Sequence, residues 1–237
     1  MEQIKVVVMP GNNYNKSQLK PFINLIRDQP WCKSVIWIDL LENSFSHLSY
    51  SQLEPLNYNR YIERFLLPGE KYLFYGCSMG CYHIQNFISK KPEYAAGVVW
   101  LEPTMCGGDY DKLYYFEEGR GNGDLMRYFR ESADDESLSS ADKVIDIAVS
   151  RDFTNPMPRW VPLSIILTTL DNEGKPYTPE QIDAKNRFVA KMAKQVVILK
   201  EYLLDTMHTC DITGSDEIKK IIIQIMGNTI GCNPAPH

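Results

Sequence analysis

The fold of this chain is decided by residues 71–80, which read KYLFYGCSMG. An apolar run that predicts a buried strand over residues 71–75 leads into a Gly-x-Ser-x-Gly motif at Gly76, Ser78 and Gly80, and then into a helical pattern. A serine at such a sharp turn is held in a strained backbone conformation, and the small glycines let neighbouring backbone pass close by. We therefore predict a strand, a tight turn that presents the Ser78 hydroxyl, and a helix whose positive end points at that hydroxyl.

The composition is that of an ordinary globular protein. The 237 residues are enough for one large or two small domains, and 44% of them are hydrophobic. Lys and Arg number 25 against 30 Asp and Glu, a net charge of −5, so the chain has no electrostatic reason to bind nucleic acid or an anionic membrane. No stretch reaches the roughly 20 apolar residues of a membrane span. Because we find no secretory signal and the six cysteines are scattered, we expect a cytoplasmic protein with reduced thiols.

Strand-like and helix-like segments alternate along the chain. This alternation predicts an α/β protein with a mostly parallel central sheet and helices on both faces. Residues 102–162 do not fit the alternation, and their many aromatic residues predict a helical insertion over one end of the sheet, with a disordered surface loop as the alternative for residues 131–140. The predicted strands are residues 4–9, 34–40, 71–75, 97–101, 163–170 and 195–200, and the predicted helices are residues 16–27, part of 50–67, the stretch up to 91, 179–194 and 216–226.

A serine hydroxyl needs a base to become a nucleophile, and histidine is the usual base near neutral pH. The chain has four histidines. His237 is the last residue, His47 follows the second predicted strand, and His83 lies on the helix that follows Ser78. His208 follows the sixth predicted strand, and a loop at the carboxyl end of a strand is where this architecture places its sites. We therefore predict that His208 is the base.

The third member of such a group is a carboxylate that orients the imidazole. Asp171 directly follows the fifth predicted strand and is the first choice. Glu102, which directly follows the fourth predicted strand, is the serious competitor. Glu173 is a weaker alternative, and Asp205 is the weakest, because a residue three positions from His208 in one loop rarely reaches behind the ring.

In the order Ser78, Asp171 and His208, the chain resembles the serine hydrolases of the α/β-hydrolase fold. The resemblance covers most of the chain except residues 102–162, which would correspond to the cap of that family. It implies a core formed by residues 1–101 and 163–237.

The resemblance also implies an oxyanion hole. Residues 9–13, Met-Pro-Gly-Asn-Asn, are similar to the family's His-Gly or Pro-Gly turn after the first strand. By that match the backbone N–H of Asn12 is one donor, and the backbone N–H of Met79, directly after Ser78, is the other.

These residues predict a hydrolase that cleaves a carboxylic ester or thioester through an acyl-enzyme on Ser78, with a small-molecule acyl substrate and no cofactor. A ligand-binding or receptor protein on the same fold and an acyltransferase are the alternatives. The aromatic insertion is compatible with an apolar acyl or aromatic substrate and equally with packing of the insertion on itself. The oligomeric state and the leaving group stay open.

Three cysteines lie near the predicted site. Cys77 and Cys81 flank the turn, and Cys210 follows His208 at a spacing of two. The spacings are wrong for a structural zinc motif, and a histidine that serves as base does not also serve as a ligand. We therefore predict no metal site and interpret the thiols as buried packing groups.

Overall fold

A computed structural model describes residues 3–11, 16–38, 55–103, 156–171 and 173–230. Most of the predicted insertion over residues 102–162 lies outside these ranges, so the division into core and cap stays a prediction. The strands are β1 (Ile4–Met9), β2 (Cys32–Trp37), β3 (Tyr72–Cys77), β4 (Ala95–Leu101), β5 (Leu163–Leu170) and β6 (Leu199–Met207). The helices are α1 (Lys16–Arg27), α2 (Pro55–Glu63), α3 (Met79–Lys90), α4 (Pro179–Ala193), α5 (Cys210–Thr213) and α6 (Asp216–Ile230), with a 3₁₀ turn over Pro92–Tyr94.

The six strands form one sheet in the order β2-β1-β3-β4-β5-β6, and every neighbouring pair is parallel. Every residue of β3 and β4 is buried, as expected for central strands covered on both faces. The prediction of a parallel central sheet is confirmed.

Helices cover both faces of this sheet. On one face, Phe74 of β3 and Val98 of β4 pack in a cluster with apolar residues of α2, α3 and α4. On the other face, Tyr75 of β3 and Val99 of β4 pack in a second cluster with residues of α1 and α6. Alternate residues of each central strand therefore enter opposite layers of the core. The prediction of helices on both faces is also confirmed.

The last strand differs most from its prediction. The sequence predicts a strand over residues 195–200, whereas β6 spans Leu199–Met207. Among the described residues, β6 lies at the edge of the sheet and pairs with β5 alone. Most of its residues alternate between half-buried and exposed positions. An edge strand of this kind lacks the continuous apolar run that marks the central strands. Its later end places His208 directly after the strand.

Within the described ranges, no helix has the length and apolar character needed to cross a lipid bilayer.

Candidate active site

Ser78 forms a strained turn between β3 and α3. Its backbone has φ 51° and ψ −119°, in the region of positive φ that residues other than glycine rarely adopt. The N–H of Ser78 donates to the carbonyl of Leu101 at 2.9 Å, and the N–H of Cys81 donates to the carbonyl of Ser78 at 3.1 Å. These bonds fix the turn to the end of β4 and to the first turn of α3, which stabilises the strained conformation.

The two glycines of the motif allow this turn to sit against its neighbours. A Cβ atom added at Gly76 would lie 2.7 Å from the backbone nitrogen of Cys81. A Cβ atom added at Gly80 would overlap the carbonyl oxygen of Met9 and lie 2.7 Å from that of Pro10. Both positions therefore require glycine for close backbone approach, and Gly80 brings the end of β1 against the start of α3.

Glu102 occupies the matching position on the next strand. Leu101 at the end of β4 pairs with Cys77 at the end of β3, so Ser78 and Glu102 each follow one member of that pair. Glu102 also has a positive φ, 43°, and its N–H donates to the carbonyl of Ile166 at 2.8 Å. Its side chain is 2% exposed. A buried carboxylate therefore lies on the strand next to the one that carries the serine.

His208 reaches this edge of the sheet from β6. Its Nδ1 atom lies 3.7 Å from Oε2 of Glu102, within ion-pair range although longer than an ordinary hydrogen bond, and the ring is 15% exposed. Three residues later, Asp211 accepts a hydrogen bond of 3.0 Å from the hydroxyl of Tyr75, which lies three residues before Ser78. This bond ties the loop after β6 back to β3. The structure thus brings His208 against Glu102, which directly follows β4, the strand next to β3.

Asp171 lies at the same edge but uses its carboxylate in its own turn. Leu170 pairs with Met207, so Asp171 and His208 follow paired residues on β5 and β6. Oδ1 of Asp171 accepts hydrogen bonds of 2.8 Å from the N–H groups of both Glu173 and Lys175. The structure therefore places Glu102, rather than Asp171, in contact with the imidazole, and the geometry favours the competitor over the first choice of the sequence.

The two weaker candidates for the acid are also engaged elsewhere. The carboxylate of Glu173 pairs with the ammonium of Lys175 at 2.5 Å on the exposed surface. Oδ1 of Asp205 accepts a hydrogen bond of 2.5 Å from the hydroxyl of Thr169.

A lysine that the sequence analysis missed completes the surroundings of Glu102. The ammonium of Lys185, on α4, lies 2.9 Å from each carboxylate oxygen and donates to the carbonyl of Thr168 at 3.2 Å. The N–H of Thr168 donates to Oε1 of Glu102 as well. The ammonium also lies 3.3 Å from the centre of the Tyr177 ring. A lysine on an amphipathic helix is usually expected to face solvent, so the sequence around Lys185 does not indicate that it is buried.

Two neighbouring groups offset the effect of burial on the pKa of Glu102. Burial by itself raises the pKa of this carboxyl, but contact with His208 and Lys185 outweighs it and holds the pKa below the usual value. Burial lowers the pKa of Lys185, and the carboxylate works against that shift. With both carboxylate oxygens in direct contact with the ammonium, we describe the two groups as an ion pair.

The thiols near the turn are shielded. Cys77, Cys81 and Cys210 are buried thiols, and burial raises the pKa of Cys81 and Cys210 above the usual value. Among the residues that the structure describes, no group of three His, Cys, Asp or Glu side chains could hold a metal ion.

Of the two predicted oxyanion donors, the structure describes the backbone of Met79. Met79 begins α3 directly after Ser78, so its N–H lies at the amino end of that helix. Asn12 lies outside the described residues. Both stay predictions.

Comparison with known proteins identifies the fold. No protein-family model matches the sequence, and no curated protein matches it. An α/β-hydrolase enzyme from the metagenome of lagoon sediments at Mar Chica, Morocco, superposes with a TM-score of 0.62 at 14% identity, covering 96% of this chain and 92% of that one. A structure of carboxylesterases from the thaumarchaeon Nitrososphaera gargenis gives 0.60 at 11% identity, covering 97% and 92%. The type II thioesterase YbtT of the yersiniabactin pathway gives 0.52 at 13% identity, covering 97% and 95%. The chain has the α/β-hydrolase fold, as predicted.

Proposed function

We propose that the protein is a serine hydrolase that cleaves a carboxylic ester or thioester through an acyl-enzyme on Ser78. The observation that carries this proposal is the contact between Nδ1 of His208 and the buried carboxylate of Glu102. Glu102 directly follows β4, and the strained Ser78 directly follows the neighbouring strand β3. A carboxylate behind an imidazole, beside a serine on a sharp turn, is the arrangement that activates a hydroxyl for acyl transfer.

The roles follow from which nitrogen faces which group. Nδ1 of His208 faces Glu102, which leaves Nε2 to act on Ser78. Nε2 takes the proton of the hydroxyl while the oxygen bonds to the acyl carbon, and the imidazolium then gives that proton to the leaving alcohol or thiol as the carbon–heteroatom bond breaks. Water repeats the sequence on the acyl-enzyme and releases the acid. The backbone N–H groups of Met79 and Asn12 are the expected donors to the oxyanion.

In this proposal Glu102, rather than Asp171, stabilises the imidazolium. Glu102 is buried and its pKa is held low, so it carries its negative charge next to Nδ1 at neutral pH. Asp171 instead accepts two backbone N–H groups in the turn after β5. An ester and a thioester are equally compatible with this geometry.

A fluorophosphonate probe tests the proposal directly, because it labels an activated serine and leaves an ordinary hydroxyl unmodified. We expect the wild-type protein to be labelled and to hydrolyse a short-chain nitrophenyl ester and an acyl thioester. Ser78→Ala and His208→Ala should abolish labelling. Ser89→Ala is the matched control. Ser89 lies on α3, the helix that follows Ser78, and its hydroxyl donates to the carbonyl of Asn86.

Two outcomes would contradict the proposal. Turnover of Ser78→Ala at the wild-type rate would remove Ser78 from the chemistry. A folded wild-type protein that neither labels nor turns over either ester would favour a ligand-binding role on the same fold.

A further inference from the structure

Lys185 is a buried cation in contact with the carboxylate that faces the proposed base. Its side chain is 3% exposed, and its ammonium contacts three acceptors, both oxygens of Glu102 and the carbonyl of Thr168. Removing a charged side chain this completely from water is costly unless the charge is compensated. The serine mechanism itself does not require a lysine at this position, so its role calls for a separate explanation.

The explanation lies in how the charge of Glu102 is balanced. A buried carboxylate favours a nearby positive charge, and two groups in contact with Glu102 can supply one, the ammonium of Lys185 and a protonated His208. With Lys185 present, the carboxylate is compensated while the imidazole is neutral. Without it, the carboxylate would draw a proton onto His208, and a protonated imidazole cannot act as a base.

We propose that Lys185 is a positioning residue that compensates the charge of Glu102, so that this carboxylate stays ionised behind Nδ1 of His208 without drawing a proton onto the ring. This inference rests on the proposed function. Lys185 does not displace the imidazole from the carboxylate. The N–H of Thr168 donates to Oε1 of Glu102, and Nδ1 of His208 lies against Oε2.

The other groups around this cluster do not supply the same charge. Cys81 of α3 and Cys210 of α5 act on Glu102 only as neutral thiols, since burial raises the pKa of both. Asp211 of α5 acts on His208 with a negative charge once it ionises, and its pKa is raised by burial to about 6. Asp211 therefore adds a second negative charge near the imidazole above that pH, and among the described residues in contact with Glu102 Lys185 is the cation that offsets it.

The test is the pH profile of fluorophosphonate labelling in Lys185→Gln and Lys185→Met. Glutamine keeps an N–H donor for Glu102 and removes only the charge, and methionine removes both. We expect the acid limb of the profile to lie at higher pH in both variants than in wild type, because the charge that compensates Glu102 is lost. Lys191→Met, an exposed lysine on the same helix, should superimpose on wild type.

The labelling rate constant is read from the reactive fraction, so partial unfolding lowers the amplitude and leaves the rate interpretable. If Lys185→Met is too unstable to fold, Lys185→Gln decides. An acid limb at the wild-type pH in Lys185→Gln, with the plateau either retained or lost, overturns the inference and leaves a purely structural role. Absence of labelling in the wild-type protein at every pH would instead overturn the proposed function.

Discussion

The burial of Asp211 beside Tyr75 leads to a quantitative prediction of how the free energy of unfolding depends on pH. Asp211 is fully buried, and burial raises its pKa from 3.8 to about 6, even though the Tyr75 hydroxyl favours the charged form. Its second oxygen, Oδ1, has no hydrogen-bond partner among the described residues. The native state therefore keeps a proton on this carboxyl up to about pH 6, whereas the unfolded chain releases it near pH 3.8.

The direction in which stability changes with pH follows from this difference in proton binding. Between those two values the native state binds more protons than the unfolded chain, so this group's contribution to stability is full below pH 3.8 and is lost as the pH rises through about 6. The gap between 3.8 and about 6 corresponds to about 3 kcal/mol at most. Asp211→Asn keeps an acceptor for Tyr75 and cannot ionise, so it should gain up to that amount relative to wild type between pH 4 and pH 7.

Urea unfolding of both proteins at several pH values between 4 and 7.5 measures the effect. The free energy of unfolding of Asp211→Asn minus that of wild type should increase with pH and level off above pH 7. Asp28→Asn, which removes an exposed carboxylate beyond α1, is the control for the loss of one surface carboxylate. A difference for Asp211→Asn that is constant, or that grows as the pH falls, would refute the reasoning.

Four further substitutions test the site and its supports. Glu102→Gln should lower the labelling rate by about 10³–10⁴-fold and Asp171→Asn by only a few-fold, since the first removes the charge beside Nδ1; the reverse ranking would restore Asp171 as the acid. Gly80→Ala should abolish labelling and lower the melting temperature, because the added methyl group overlaps the carbonyl of Met9; wild-type labelling would contradict the packing. Thr178→Ala breaks the capping box at the start of α4 and should cost about 1 kcal/mol in urea unfolding, and no loss would show that the cap is not formed in solution.

Much of the fold is predictable because its central elements carry strong local patterns. The strands over residues 4–9 and 163–170 and the helix over residues 16–27 have the predicted bounds. The two strands, IKVVVM and LSIILTTL, are mostly apolar, and the helix places Leu19, Phe22, Ile23 and Ile26 on one buried face. β6 carries neither pattern, and Leu203 in its middle is 66% exposed, so its position depends on pairing with β5.

Some residues of the candidate site are likewise predictable from local sequence, and others are not. Ser78 is marked by a short motif, and His208 follows from elimination among few histidines, so both rest on local information. The choice between Asp171 and Glu102 depends on which carboxylate is already bound by its own turn, which is a property of three-dimensional structure. Lys185 contacts Glu102 across a separation of 83 residues, and no feature of its own segment indicates that contact.

The long sequence separations in this site affect when it forms. The contact between Glu102 and Lys185 spans 83 positions, and that between Tyr75 and Asp211 spans 136. Each must close a large loop of chain, whereas the backbone hydrogen bonds of α1 and α4 join residues only four positions apart. During refolding from urea, helical circular dichroism should therefore recover before reactivity toward the probe does. The chemical competence of the serine would then report the completion of folding rather than early collapse.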